Sequence, residues 1–340
     1  MQSRKYRINN RTIIFWIFSL CAACDRGAPS PVIDAGADLA AADLATGGRW
    51  RSHAPLPIAR QETAVVALAD RIVVIGGFNA NADIVANVDT YDPTADHWTA
   101  VSPLPEPLHH ANAAVVNERV YVLGASSGLD FAAVGRGYVY DPAQDKWSPV
   151  RAMPAGTERG SAAVAVLDGR IHVAGGLRGG QAVADHAVYD PGSDTWTALP
   201  PLPEGREHLV GAAAGGAFLA IGGRSATITS LRGRVDAYDP AQKTWTARAP
   251  LPTPRGGAAC AVLDGRVYVI GGEGNSASPR GVFANNEVYD PSSDTWSVAE
   301  PMRTPRHGTG AAALAGRVFV PGGADRQAFG AVAVVESFAP

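Results

Sequence analysis

The chain has 340 residues, among them 38 Gly, 25 Pro and 61 Ala, with 18% charged residues and a formal net charge of -3. So slight a charge excludes a polybasic nucleic-acid binder and an acidic solvating tail as the main identity, while 46% hydrophobic residues allow a large core. Gly and Pro at this frequency, short of the ~25–30% of low-complexity chains, favour many short strands joined by turns.

Residues 1–23 open with Arg4, Lys5, Arg7 and Arg11 and no acid, then run apolar from Thr12 to Ala23. Basic, then apolar, then small is the order of a secretory signal, and the apolar run is too short to cross a bilayer comfortably as a permanent helix. The stretch Leu20-Cys21-Ala22-Ala23-Cys24 resembles a bacterial lipobox, although Cys21 stands where Leu is usual. The resemblance implies that Cys24 is lipidated and becomes the mature N-terminus at the cell envelope. An ordinary cleaved signal peptide and an uncleaved anchor are the alternatives. Residues 24–48 are Ala, Asp, Gly and Pro without an aromatic side chain. They cannot bury enough apolar surface to offset their ordering entropy, and are expected to be a flexible tether. Of the three cysteines, only Cys260 remains for the rest of the chain, so no disulfide framework is available.

From residue 49 onward the sequence repeats. Trp stands at 50, 98, 147, 196, 245 and 296, at spacings of 48 to 51. Tyr-Asp-Pro stands at 91–93, 140–142, 189–191, 238–240 and 289–291, with Phe338-Ala339-Pro340 as a degenerate sixth copy. Gly-Gly closes an apolar run at 76–77, 175–176, 222–223, 271–272 and 322–323, with Gly124-Ala125 in the remaining place. Three markers sharing one period define a structural repeat. The fifth unit shows the reading. A small-residue run from Gly256 to Leu263 meets the hairpin turn Asp264-Gly265, and the strand Arg266–Ile270 ends at Gly271-Gly272. The strand Asn286–Asp290 is stopped by Pro291, and an outer strand carries Trp296.

This pattern resembles the kelch repeat, over residues 49–340. The resemblance implies an all-β fold: a six-bladed β-propeller with four antiparallel strands per blade. The innermost strands, such as Gly211-Ala-Ala-Ala, are small enough for the crowded axis, and the Trp and Tyr rings suit the space between blades. The sixth unit lacks a Trp strand after Phe338, and Gly48–Ser52 supplies one at the other end. The ring is therefore expected to close with an N-terminal outer strand.

Propeller ligands usually meet the loops at one mouth of the channel. The crossing loops put Arg60, His109, Arg159, Arg206, Arg255 and Arg306 at what reads as one repeat position. That is either a cationic mouth for a carboxylate-bearing ligand or, because Arg here belongs to the kelch consensus, a structural set bonding loop carbonyls between blades. Non-repeated neighbours are the other candidates: Gln61 and Glu62, His110, Ser161, Glu207 and His208, and His307, with Asn79, Ser126, Arg178, Arg224, Glu273 and Arg326 in the loops after Gly-Gly. The acids and histidines could supply acid–base chemistry if they converge. No His or Cys pair has metal-ligand spacing, no calcium loop appears, and the extra ligands of the copper-radical oxidases of kelch architecture are missing. No metal and no cofactor are expected. The chain reads as a monomeric, exported bacterial module, lipid-anchored at the envelope, that binds a protein or glycan through its loop face and no nucleic acid. The alternative is a mutarotase-like enzyme acting on a carboxylated sugar such as N-acetylneuraminate.

Overall fold

Turn chemistry sets the strand boundaries. Asp168-Gly169 and Asp264-Gly265 take the left-handed conformation at both residues, with φ of 51 and 72° and of 51 and 73°, which is what a tight two-residue hairpin requires. The structure, a computed structural model, describes residues 49–340; the expected signal peptide (1–23), Cys24 and the tether to residue 48 lie outside the described residues. All regular structure among the described residues is β.

Six four-stranded antiparallel sheets form the blades of a propeller. Blade 1 comprises Ala64–Leu68, Arg71–Ile75, Val88–Asp92 and His97–Val101, and the next four follow the same order along the chain. Blade 6 takes Ala312–Leu314, Arg317–Pro321 and Val335–Phe338 from the C-terminal end and Trp50–Ser52 from the N-terminal end. Trp50 lies opposite Phe338 and Ser52 opposite Glu336, so the ring closes as the repeat pattern predicts. The inner strands crowd one another: a Cβ on Gly211 would lie 2.4 Å from the Val164 nitrogen in the neighbouring blade.

Each Trp ties its blade to the one before. The Nε1–H groups of Trp98, Trp147, Trp196, Trp245, Trp296 and Trp50 donate to carbonyls just past the preceding outer strand, at 2.8 to 3.1 Å. A second tie was not legible as such. Asp96, Asp145, Asp194 and Asp294 each accept a tyrosine hydroxyl of their own blade and a backbone N–H of the preceding one. Blade 2 departs from the pattern because Ala125 replaces the second glycine. Elsewhere that glycine sits at φ of 90 to 116°, a region closed to alanine. The chain continues extended instead, giving the long hairpin Arg119–Ser127 and Ala132–Asp141.

Blades 3 and 4 bury two histidines between them. His172 Nδ1 lies 3.0 Å from His186 Nε2, and both rings pack on Phe218 and Tyr238. Burial pushes His172 down to about 4 and His186 down to about 3. Both values lie below the unfolded imidazole's ~6.5, so the unfolded chain takes up protons first. The stabilising contribution is complete above ~6.5 and declines as the pH falls towards 3–4, by about 2 kcal/mol per ring at pH 5. The melting temperature should therefore drop between pH 7 and pH 5, and drop less in a His172→Phe/His186→Leu variant. An identical drop in both proteins would show that these rings are not the titrating groups.

Candidate functional site

A closed ring of backbone hydrogen bonds circles the axis and fixes which residues are equivalent. His110 N donates to Glu62 O, Ser161 N to His110 O, His208 N to Ser161 O, Gly257 N to His208 O and Gly308 N to Gly257 O, at 2.9 to 3.0 Å, and Glu62 N closes the circle on Gly308 O. All six residues are left-handed, with φ between 51 and 64°. Glycine accepts that conformation freely, whereas Glu62, His110, Ser161 and His208 each carry a cost of roughly 1–2 kcal/mol. Four side chains are thus held at the mouth against local preference, a pattern that marks functional sites.

This register corrects the reading of the arginine ring. Arg60, Arg159, Arg206, Arg255 and Arg306 stand two residues before the ring positions, but His109 stands one before, beside Gln61, Gly160, Glu207, Gly256 and His307. Leu108 occupies the arginine place in blade 2. Leu108 O accepts Gly77 N just as Arg206 O accepts Gly176 N. Nor do the arginines line the mouth. All five are buried, and their donors go to carbonyls of their own blade rather than between blades. In four blades a carboxylate two residues before the repeat tyrosine or its equivalent completes the set. Arg60 pairs with Asp89, Arg206 with Asp236 at 2.6 Å, Arg255 with Glu287 at 2.5 Å and Arg306 with Glu336 at 2.6 Å. The guanidinium planes are consumed inside the blades, beneath the loops.

Several of the remaining candidates converge. Glu62, His110, Ser161 and His208 line a mouth of about 170 Å³, with Gly257 and Gly308 leaving two sides of it without side chains. His110 Nε2 lies 3.0 Å from Glu62 Oε2 and 2.9 Å from His208 Nε2. Glu207 accepts from His208 Nδ1 and from Arg224 Nε. Arg224 also reaches Glu273 at 2.6 Å and the His208 ring at 3.2 Å. His307 Nδ1 stands 3.6 Å from both Glu62 and Glu273. Burial alone would raise the Glu62 carboxyl, and protonation of the His110, His307 or His208 ring beside it would hold it below the ordinary carboxylate range. Burial and the neighbouring His110 ring lower His109 to about 4, so it is neutral at pH 7, and burial also lowers His208. The charged and imidazole groups of the cluster come from six crossing or post-Gly-Gly loops. Sequence spacing names each member but does not join them.

Comparison with known proteins gives the family and the fold. The model described as the KLHDC2/KLHL20/DRC7 Kelch-repeats domain matches residues 38–223, more than half of the chain, and the Kelch motif model matches residues 254–303. The chain belongs to the kelch-repeat family. This kelch protein is 40% identical over 78 residues to beta-scruin of Limulus polyphemus, covering 22% of the chain and 8% of that protein. It is 33% identical over 84 residues to human kelch-like protein 34, covering 24% of the chain and 13% of the relative. The matched region is thus a small fraction of those longer proteins. Among solved structures it is similar to the one titled "Structure of YjhT", with a TM-score of 0.69 and 15% identity over 83% of this chain and 95% of the other, a likeness of fold.

On one side the kelch mouth has an aromatic lip. Phe78 lies 4.2 Å from the His109 ring, 5.4 Å from Phe329 and 6.3 Å from Phe131, and Phe131 lies 5.2 Å from His110. The long blade 2 hairpin, a consequence of Ala125, carries Phe131 at φ 58° and Leu129 at its tip. Leu129 is 66% exposed and Phe329 45% exposed. The hairpin could be anticipated from the missing glycine, but the approach of Phe131 and Phe329, from blades 2 and 6, to one shared neighbour, Phe78, follows only from ring closure.

Proposed function

We propose that this protein is an envelope-held kelch module that captures a protein partner on the loop face around the mouth. The observation that carries the reading is the pair of exposed apolar side chains, Leu129 and Phe329, flanking a buried polar basin. Kelch propellers generally mediate protein interactions, and exposed apolar groups beside a concave polar site are what a partner's side chains bury most profitably. The envelope location rests on the basic and apolar residues 1–23 and on Cys24. A carboxylated-sugar reading would call for free cationic groups at the mouth. The five repeat arginines are internal, and Arg224 is bound to two carboxylates.

A photo-crosslinking residue at Leu129 in the full-length chain, expressed in its own cells, tests the reading. The expected result is a discrete protein adduct, absent when the probe replaces Val298, an equally exposed outer-strand residue, and lost with Phe329→Asp. Palmitate should label the chain and fail to label Cys24→Ala. Leu129 adducts no stronger than those at Val298, or adducts to glycan alone, would overturn the protein-partner reading.

A further inference from the structure

The hydrogen-bond directions at the mouth leave three acceptors facing one another. His109 Nε2 lies 3.0 Å from the Gly128 carbonyl, which can only accept, so the proton of His109 is on Nε2. His109 Nδ1 is then an acceptor, and its partner at 2.5 Å, His110 Nδ1, must be the donor. This leaves His110 Nε2 with a lone pair. On the other side, Glu207 is ionised against Arg224 and accepts from His208 Nδ1, which leaves His208 Nε2 with a lone pair as well. Those two nitrogens lie 2.9 Å apart, and His110 Nε2 is also 3.0 Å from Glu62, whose carboxylate only accepts. The three atoms lie within 4.8 Å of one another. The donors nearby are Arg224, 3.2 Å from the His208 ring and already bonded to Glu207 and Glu273, and the Ser161 hydroxyl, 3.3 Å from His208 Nδ1 and so on the far side of the ring from Nε2.

We propose that Glu62, His110 and His208 bind a divalent transition-metal ion of the zinc class at the channel mouth. Two neutral imidazoles and one carboxylate are a common zinc ligand set. Around a tetrahedral ion with ~2.0–2.1 Å bonds, ligand atoms sit about 3.3 Å apart, so the 2.9 and 3.0 Å edges would open by a few tenths of an ångström while the Glu62–His208 edge, within 4.8 Å, adjusts to the same span. Glu207 on His208 and His109 on His110 are the outer partners that fix the ring tautomers with Nε2 free. Charge favours the same occupant. Glu62, Glu207 and Glu273 are opposed in the cluster by the Arg224 guanidinium, leaving two negative charges that one divalent ion neutralises. The buried Glu273 Oε2 and His307 Nδ1 have no hydrogen-bond partner. Gly308 makes room for the carboxylate itself: a Cβ there would lie 2.5 Å from Glu62 Oε1. The competing occupant is a proton on one of the Nε2 atoms. This inference is independent of the partner that the aromatic lip takes.

Zinc titrated calorimetrically into chelator-treated full-length protein should bind at one ion per chain. Glu62→Gln and His208→Ala should each weaken binding at least 100-fold, and Glu207→Gln by about 10–100-fold because the His208 ring loses the carboxylate that orients it. His97→Ala, an exposed histidine on an outer strand, should change nothing. A second readout needs no variant. Cobalt(II) added to the wild-type protein should give intense d–d bands that zinc abolishes. Only the weak spectrum of aqueous cobalt, or zinc affinity unchanged in Glu62→Gln and His208→Ala, would overturn the site in favour of the proton.

Discussion

Deleting residues 49–54 is expected to abolish cooperative unfolding, whereas deleting residues 25–45 should leave the melting temperature unchanged. The segment is short but completes blade 6. Trp50 is fully buried, packs on Phe338 with ring centroids 5.3 Å apart, and donates to Glu300 O at 2.9 Å. Its carbonyl accepts from Arg303, and Arg49 O accepts from Ala339 N and Arg317. Removing a buried Trp costs about 3–5 kcal/mol, a large share of the ~5–15 kcal/mol that holds an ordinary domain together. The deletion also bares Val335–Phe338 as an edge strand, an invitation to pairing between chains. Circular dichroism melts with light scattering should show early aggregation in the 49–54 deletion, and Trp50→Ala should melt well below wild type without losing the fold. Equal melts for the two deletions would refute ring closure as a source of stability.

The architecture was legible because it is written six times. Trp, Tyr-Asp-Pro and Gly-Gly recur for reasons internal to one blade and its neighbour, and the incomplete sixth unit announces its own closing strand. The mouth was legible only as a set of names. Glu62, His110 and His208 are separated by 48 and 98 residues, and their meeting depends on the backbone ring, which no local pattern encodes. The slip at His109 has a simple source. Arg60, Arg206, Arg255 and Arg306 lie ten residues after their Trp, as does Leu108, while Arg159 lies twelve after Trp147. Matching residue type across the loops selected the nearest cation, His109, where counting from Trp98 selects Leu108. The acids that partner the arginines were equally countable, two residues before the tyrosine. They look like ordinary strand polar residues until the arginine is seen to turn inward.

Blade 2 supplies an internal control for those arginines. It has Leu108 in the arginine place and Tyr138 in the acid place, so a blade tolerates the absence of both charges together. Arg306→Leu alone should therefore destabilise the protein by about 3–5 kcal/mol, because Glu336 stays charged and buried. The carbonyls of Thr304, Val320 and Gly322 lose their donor as well. Arg306→Lys should recover little, since one ammonium cannot reach the carboxylate and these separated carbonyls at once. Adding Glu336→Tyr to Arg306→Leu should return a substantial part of the loss by removing the stranded charge. Arg159→Leu should be milder than Arg306→Leu, because Ala187 stands where four of the other blades have the acid. Urea unfolding of the five proteins orders them. If Arg306→Leu unfolds like wild type but loses its crosslinked partner at Leu129, the arginines serve the ligand rather than the blade. If the single and double variants are equally unstable, the buried carboxylate is not the source of the cost, and the lost carbonyl bonds are.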